Sequence, residues 1–175
     1  FCLYSYITPM LTQVSGFPAA DMTIIMVLAG LGMCIGNLLG GRLSDVYTPG
    51  RVAAVTQGGM CLTLVFIFVC AVNPWLSVIL MCLGTACLFA VSAPQQLLLI
   101  QNAKGGEMLG AASVQIAFNM GNALGAYCGG LPIEAGYSYQ YAALPGAASA
   151  FAGFLLLSWF SRKYEQRKMK VCMAG

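Results

Sequence analysis

Arg42-Leu43-Ser44-Asp45-Val46-Tyr47-Thr48-Pro49-Gly50-Arg51 is a short polar stretch between two long apolar runs, Met22 to Gly41 and Val52 to Val72. Each flanking run is long enough to cross a bilayer, which takes roughly 20 apolar residues at about 1.5 Å per residue. Lys and Arg gather on the cytoplasmic side of membrane proteins. The stretch, with an arginine at either end, therefore reads as a cytoplasmic loop between two spans. The rest of the chain repeats the pattern. Of its eight basic residues, Lys104 stands alone, and Arg162, Lys163, Arg167, Lys168 and Lys170 lie together near the end. Each interval between clusters is apolar and long enough for two crossings, so the three clusters mark one face. The expected fold is all-α, a polytopic transmembrane helical bundle.

Composition agrees. Mean hydropathy is +0.81, only 7% of residues are charged and there is no His, whereas a soluble domain is about a quarter charged. The net charge of +3 sits in loops and tail and calls for no nucleic-acid partner. The basic tail from residue 162 to 175 reads as an ordinary stop signal, the alternative being a specific site for anionic lipid. Seven cysteines (Cys2, Cys34, Cys61, Cys70, Cys82, Cys87 and Cys128) sit in apolar runs, and Cys172 lies in the tail. With no CxxC pair and no His they read as small hydrophobes, and neither a disulfide frame nor a metal or cofactor site is expected. Phe1 is already inside an apolar run with no Met before it, which reads as a chain entered part-way through a helix.

Hydropathy and turn residues divide residues 1–161 into six spans, at about 1–14 (shortened), 22–41, 52–72, 75–101, 108–131 and 140–159. Gly16 and Pro18 suit the first external turn, and Asp21 can cap the helix that follows. Asn73-Pro74 suits the second external turn, with Trp75 at the interface. Gly105-Gly106 mark the second cytoplasmic loop, and residues 132–139, with Glu134, are external. The chain is expected in the cell (inner) membrane, multi-pass, with its C-terminus cytoplasmic. The spans are rich in Gly and Ala, so part of their surface is expected to meet partner helices.

Asp45 is a carboxylate at the membrane edge between Arg42 and Arg51. It reads in two ways: as a gate that pairs with the arginines or a nearby helix N-terminus and lets go when helices rock, or as a plain loop cap. Gly41-Arg42-Leu43-Ser44-Asp45, with Gly50-Arg51, resembles the loop motif of the major facilitator superfamily, G-x-L-x-D followed by a basic residue, Gly and Arg or Lys. Val46 stands where a basic residue is usual, and the Gly-Arg pair comes two residues late. In the fifth span Gly121-Asn122-Ala123-Leu124-Gly125-Ala126-Tyr127-Cys128-Gly129-Gly130 is similar to the G-x-x-x-G-P-x-x-G-G motif of that family's proton-coupled antiporters, with Ala126 in place of Pro. The same glycines, Gly121, Gly125 and Gly129, also read as a plain helix-packing stripe. Phe118-Asn119-Met120-Gly121-Asn122 and the loop from Ser44 to Arg51 resemble the drug and sugar efflux permeases of the arabinose-efflux type. The resemblance implies helices seven to twelve of a twelve-helix transporter, with an N-terminal half of the same transporter as partner.

Polar side chains inside a span cost energy unless paired or wet, which makes them candidates for function. Gln115, Asn119 and Asn122 share one face of the fifth span, with Asn119 near mid-membrane. They read as cavity lining for a substrate or, equally, as interhelical hydrogen-bonding groups. Gln95 beside Pro94 in the fourth span, and Tyr4 and Tyr6 in the first, complete the substrate-binding candidates. Pro94 is expected to kink its helix. No Asp, Glu, His, Lys or Arg lies deep in any span, so proton carriers are expected outside this chain, and acid–base or nucleophilic enzyme chemistry has no visible carriers. The function expected is secondary active transport: proton-coupled efflux of a small organic solute, sugar or drug, by alternating access. The alternative is a non-transporting membrane module that packs against a partner half.

Overall fold

The computed structural model describes residues 2–70, 73–103 and 105–165. Lys104, Val72 at the end of the expected third span, and the tail residues Arg167, Lys168, Lys170 and Cys172 lie outside the described residues. The regular elements are all helices, and the described residues contain no strand. A 3-10 turn, Tyr4–Tyr6, a short helix α1, Ile7–Pro9, and a π-helical stretch, Met10–Val14, run into one another. The long helices are α2, Met22–Val46; α3, Pro49–Cys70; α4, Pro74–Asn102; α5, Glu107–Glu134; and α6, Ala143–Phe160.

The molecule is a helical transmembrane bundle. Four helical stretches, Ala19–Val46, Pro49–Cys70, Pro74–Asn102 and Tyr139–Lys163, are long and apolar enough to cross a membrane. The 28-residue α5 is equally long but less apolar, since it carries Gln115, Asn119, Asn122 and several glycines. The outside of the bundle is a field of exposed Leu, Ile, Val and Phe, such as Ile24, Leu38, Val69 and Leu156. Such a surface is favourable only against hydrocarbon.

Small residues set the tightest contacts. Gly32, Gly36 and Gly40 of α2 back onto the main chain of Cys82, Ala86 and Ala90 of α4. Both series step by four, so the two helices run parallel and each turn of one meets a turn of the other. A Cβ on Gly36 or Gly40 would collide with the Ala86 or Ala90 carbonyl. The Thr85 hydroxyl adds a donor across the same seam, to the Ala29 carbonyl at 3.4 Å. Pro94 lies fully buried inside α4, which continues through it to Asn102. Proline has no N–H for the carbonyl four residues back, here that of Ala90, and that is the carbonyl on which Gly40 sits.

On the other side α3 and α6 run antiparallel. The Gln57 amide donates to the Ala150 carbonyl at 3.3 Å, and the Cys61 thiol to the Ala147 carbonyl at 3.5 Å. Gly58 lies against the Phe154 ring and Gly146 against Leu64. This pairing brings the α3 start, with Arg51, to the end of the bundle that carries Arg162 and Lys163. There the Lys163 ammonium sits 4.7 Å from the Trp159 ring centroid. At the opposite end Phe17 meets Trp75 edge-on at 6.1 Å, Ser15 donates to the Ser77 hydroxyl at 3.3 Å, and Phe68 meets Tyr141 at 5.1 Å.

The polar stretch between α2 and α3 is shorter as a loop than the sequence suggests. Helix α2 continues through Arg42 and Asp45 to Val46. Helix α3 begins at Pro49, where a missing N–H costs nothing and the fixed φ suits a first helical turn. Only Tyr47 and Thr48 join them. Asn73 and Pro74 do the same for α4, the Asn73 side chain accepting from the Leu76 amide at 3.4 Å.

Candidate functional site

Six elements line a half-open cavity of about 350 Å³. The N-terminal turn contributes Cys2, Leu3 and Tyr4, with Ile7 from α1. Helix α3 contributes Gln57, Met60, Leu64 and Ile67; α4 contributes Met81, Gly84, Thr85 and Leu88. Helix α5 adds Gly121, Leu124, Gly125 and Cys128, and α6 adds Gly146, Ser149 and Ala150. On every long helix the lining residues recur at spacings of three or four, so each helix turns one face inward. No Asp, Glu, Lys or Arg is among the lining residues.

The cavity exists because α5 touches the bundle at its two ends. Near its start Gly110 and Val114 are buried, with Gly110 against Ala103 and Leu99. Near its end Gly129 and Gly130 are buried. Gly129 meets the Cys2 main chain, and a Cβ on Gly130 would lie 2.6 Å from the Tyr6 hydroxyl. That hydroxyl donates to the Ala126 carbonyl at 3.2 Å. Between Val114 and Gly129 no α5 residue is buried.

The three amides expected to form a substrate face lie on this unburied middle. Gln115 and Asn119 are exposed and Asn122 is half-buried. Among the described residues none of their side chains has a hydrogen-bond partner. They do not line the cavity, which lies behind them on the glycine side of the helix. Of the remaining substrate-binding candidates, Tyr4 is in the cavity wall, Tyr6 fastens the end of α5, and Gln95 is half-buried on α4 away from the cavity. Of the expected packing stripe, Gly129 makes the close contact. Gly121 has nothing near it and Gly125 faces the cavity, because α5 stands off from its neighbours there.

The expected gating residues sit at one end of the bundle. Arg42, Asp45 and Arg51 are exposed, Gly41 is half-buried with open space beside it, and Gly50 is buried. None of the three charged side chains forms an ion pair among the described residues. Thr48 between them has a buried hydroxyl with no hydrogen-bond partner among the described residues. Glu107, at the start of α5, is fully exposed. Hydrogen bonds from its own amide and from the Gly105 amide, the latter at 3.1 Å, hold its carboxyl below the ordinary value.

Three polar cavity residues escaped the sequence reading: Gln57, Thr85 and Ser149. Thr85 and Ser149 are common in spans and give no signal. Gln57 could have been found, since it is an amide well inside an apolar run.

The chain was compared with known proteins. A family model described as Major Facilitator Superfamily matches residues 1–171. "Putative transporter AraJ" of Escherichia coli is 48% identical over 167 residues, covering 95% of this chain and 42% of that protein. "Inner membrane transport protein YdhP" of Escherichia coli is 37% identical over 176 residues, covering 100% of this chain and 44% of that protein. "Uncharacterized MFS-type transporter YfhI" of Bacillus subtilis is 30% identical over 169 residues, 97% of this chain and 42% of that protein. The chain thus spans less than half the length of these relatives. No solved structure matches.

Proposed function

This chain belongs to the Major Facilitator Superfamily, and from that premise we propose that it serves as the C-terminal half of a secondary active transporter. The reading is proton-coupled efflux of a small organic solute by alternating access across the cell (inner) membrane, with the C-terminus cytoplasmic. An N-terminal half of the same transporter completes the pathway, and the named relatives, each more than twice the length of their match here, support that partner.

One observation carries the proposal. The middle of α5 presents Gln115, Asn119 and Asn122 outward, with no partner for any of them among the described residues. Amides at mid-membrane must be met by water, substrate or another helix. A solute pathway between two halves supplies all three, and transporters of this kind bind substrate near the midplane between their repeats. Arg42, Asp45, Gly50 and Arg51, at the end of the bundle, are placed to make and break contacts with the other half as it rocks. Proton coupling needs a group that titrates in the membrane. No acidic or basic residue is among those lining the cavity, and α5 carries none between Glu107 and Glu134, so the carrier is assigned to the other half.

The test uses the full-length protein in vesicles with an imposed pH gradient. Gln115→Ala and Asn119→Ala are each expected to reduce solute flux about tenfold, in line with losing one or two hydrogen bonds. Glu107→Gln and Glu134→Gln are expected to leave proton-driven flux intact. Unchanged flux in both amide variants would remove the pathway from this face of α5.

A further inference from the structure

We infer that the cavity behind α5 is the pocket that selects the solute, and that it selects uncharged, mostly apolar molecules carrying a hydrogen-bond donor, to the exclusion of sugars. This rests on the transport reading above and adds the substrate class.

The hydrogen-bonding state of the lining carries the argument. Thr85 and Ser149 each have a single hydroxyl hydrogen, and both are already given away. Ser149 donates to the Pro145 carbonyl at 2.8 Å, and Thr85 shares its hydrogen between the Cys82 carbonyl at 3.0 Å and the Ala29 carbonyl at 3.4 Å. The Gln57 Nε2 spends one of its two hydrogens on the Ala150 carbonyl at 3.3 Å. What these three side chains still offer is mainly acceptors: two hydroxyl oxygens and the Gln57 Oε1, against one remaining amide hydrogen. The rest of the wall is thioether, thiol, alkyl and glycine surface together with Tyr4, whose phenol is the one further hydroxyl there.

A pocket of this kind rewards a molecule with an apolar body and one or two O–H or N–H groups. A sugar carries several hydroxyls, each of which needs partners of both kinds, and most would be buried against hydrocarbon at a cost. An ammonium ion would find no carboxylate to meet its charge. The volume, about 350 Å³, falls within the range of pockets for small organic ligands. Met60 and Met81, soft and flexible, let the wall adapt to more than one shape.

Equilibrium binding to purified full-length protein, with 4-phenylphenol, biphenyl and xylose as probes, tests this. The phenol is expected to bind, biphenyl to bind about fivefold more weakly for want of its donor, and xylose not to compete. Gln57→Leu and Ser149→Ala should weaken the phenol and leave biphenyl unchanged. Gly125→Leu, which puts an isobutyl group into the cavity from its α5 wall, should abolish binding of both and spare the α3–α6 contact of Gln57. Competition by xylose that is lost in Gly125→Leu would overturn the inference, as would phenol binding that survives Gly125→Leu. Flux of the same probes in vesicles separates the two claims. Binding as described without flux would keep the pocket and overturn transport, whereas xylose flux without phenol binding would keep transport and overturn the pocket.

Discussion

Gly36 and Gly41 belong to the same helix and meet opposite surroundings. Gly36 rests on the Ala86 carbonyl, and Gly41 has nothing within 4 Å. Gly36→Ala is expected to force α2 and α4 apart at a cost of about 1–3 kcal/mol, the usual price of overpacking, while Gly41→Ala changes stability little. Thermal unfolding of the full-length protein in detergent measures both; equal melting of the two variants would contradict the seam. Glu107 offers a pH readout at the same scale. Because hydrogen bonds from its own amide and the Gly105 amide hold its folded pKa below the ordinary one, the contact to the Gly105 amide adds stability above the unfolded carboxylate range. It is lost as pH falls through the lower folded value. The Gly105 amide resonance is therefore expected to titrate with a midpoint below that of a free glutamate.

Among the elements, α5 shows most clearly what the sequence could and could not tell. That Gln115, Asn119 and Asn122 share a face follows from their spacing alone. Where that face points does not, because amides in a span suit a wet cavity and an interhelical hydrogen bond equally well. The glycine side was read as a packing stripe, since glycines at intervals of four usually are one. The α2 stripe of Gly32, Gly36 and Gly40 behaves that way because α4 offers Ala86 and Ala90 opposite it. Gly121 has no such small partner close by, and both Gly121 and Gly125 open on a cavity instead. Pro49 likewise looked like part of a loop, although proline suits the first turn of a helix as well as a turn. Tyr6 fastens α5 by one hydrogen bond, so Tyr6→Phe is expected to lower stability by about 1 kcal/mol. It should also speed amide exchange selectively around Ala126 to Gly130. Uniform exchange along α5 would show that the contact does not hold the helix.

At the scale of the whole molecule, the membrane character and the helical fold class were legible from hydropathy and the spacing of basic residues. The cavity was not, since it depends on how five helices stand apart in space. The structure gathers Phe17, Trp75 and Tyr141 at one end and Arg51, Arg162 and Lys163 at the other. The positive-inside rule makes the basic end the one expected to face the cytoplasm. Tyr47→Cys and Tyr137→Cys, both at exposed positions, are expected to differ in intact cells. A membrane-impermeant maleimide should label position 137 above the parent's background and reach position 47 only after permeabilisation. The reverse pattern would invert the orientation.

A rod clamped at both ends deflects most at its centre. Helix α5 is clamped by Gly110 and Val114 at one end and by Gly129 and Gly130 at the other, with Asn119 and Gly121 near mid-length. An occupant that swells the cavity pushes on the back of that centre, and a second half pressing on the amides pushes on its front. The two loads meet on one beam. Filling the pocket is therefore expected to shift the amide face outward without breaking either clamp, so that an occupant on one side of this helix would register as a displacement on the other.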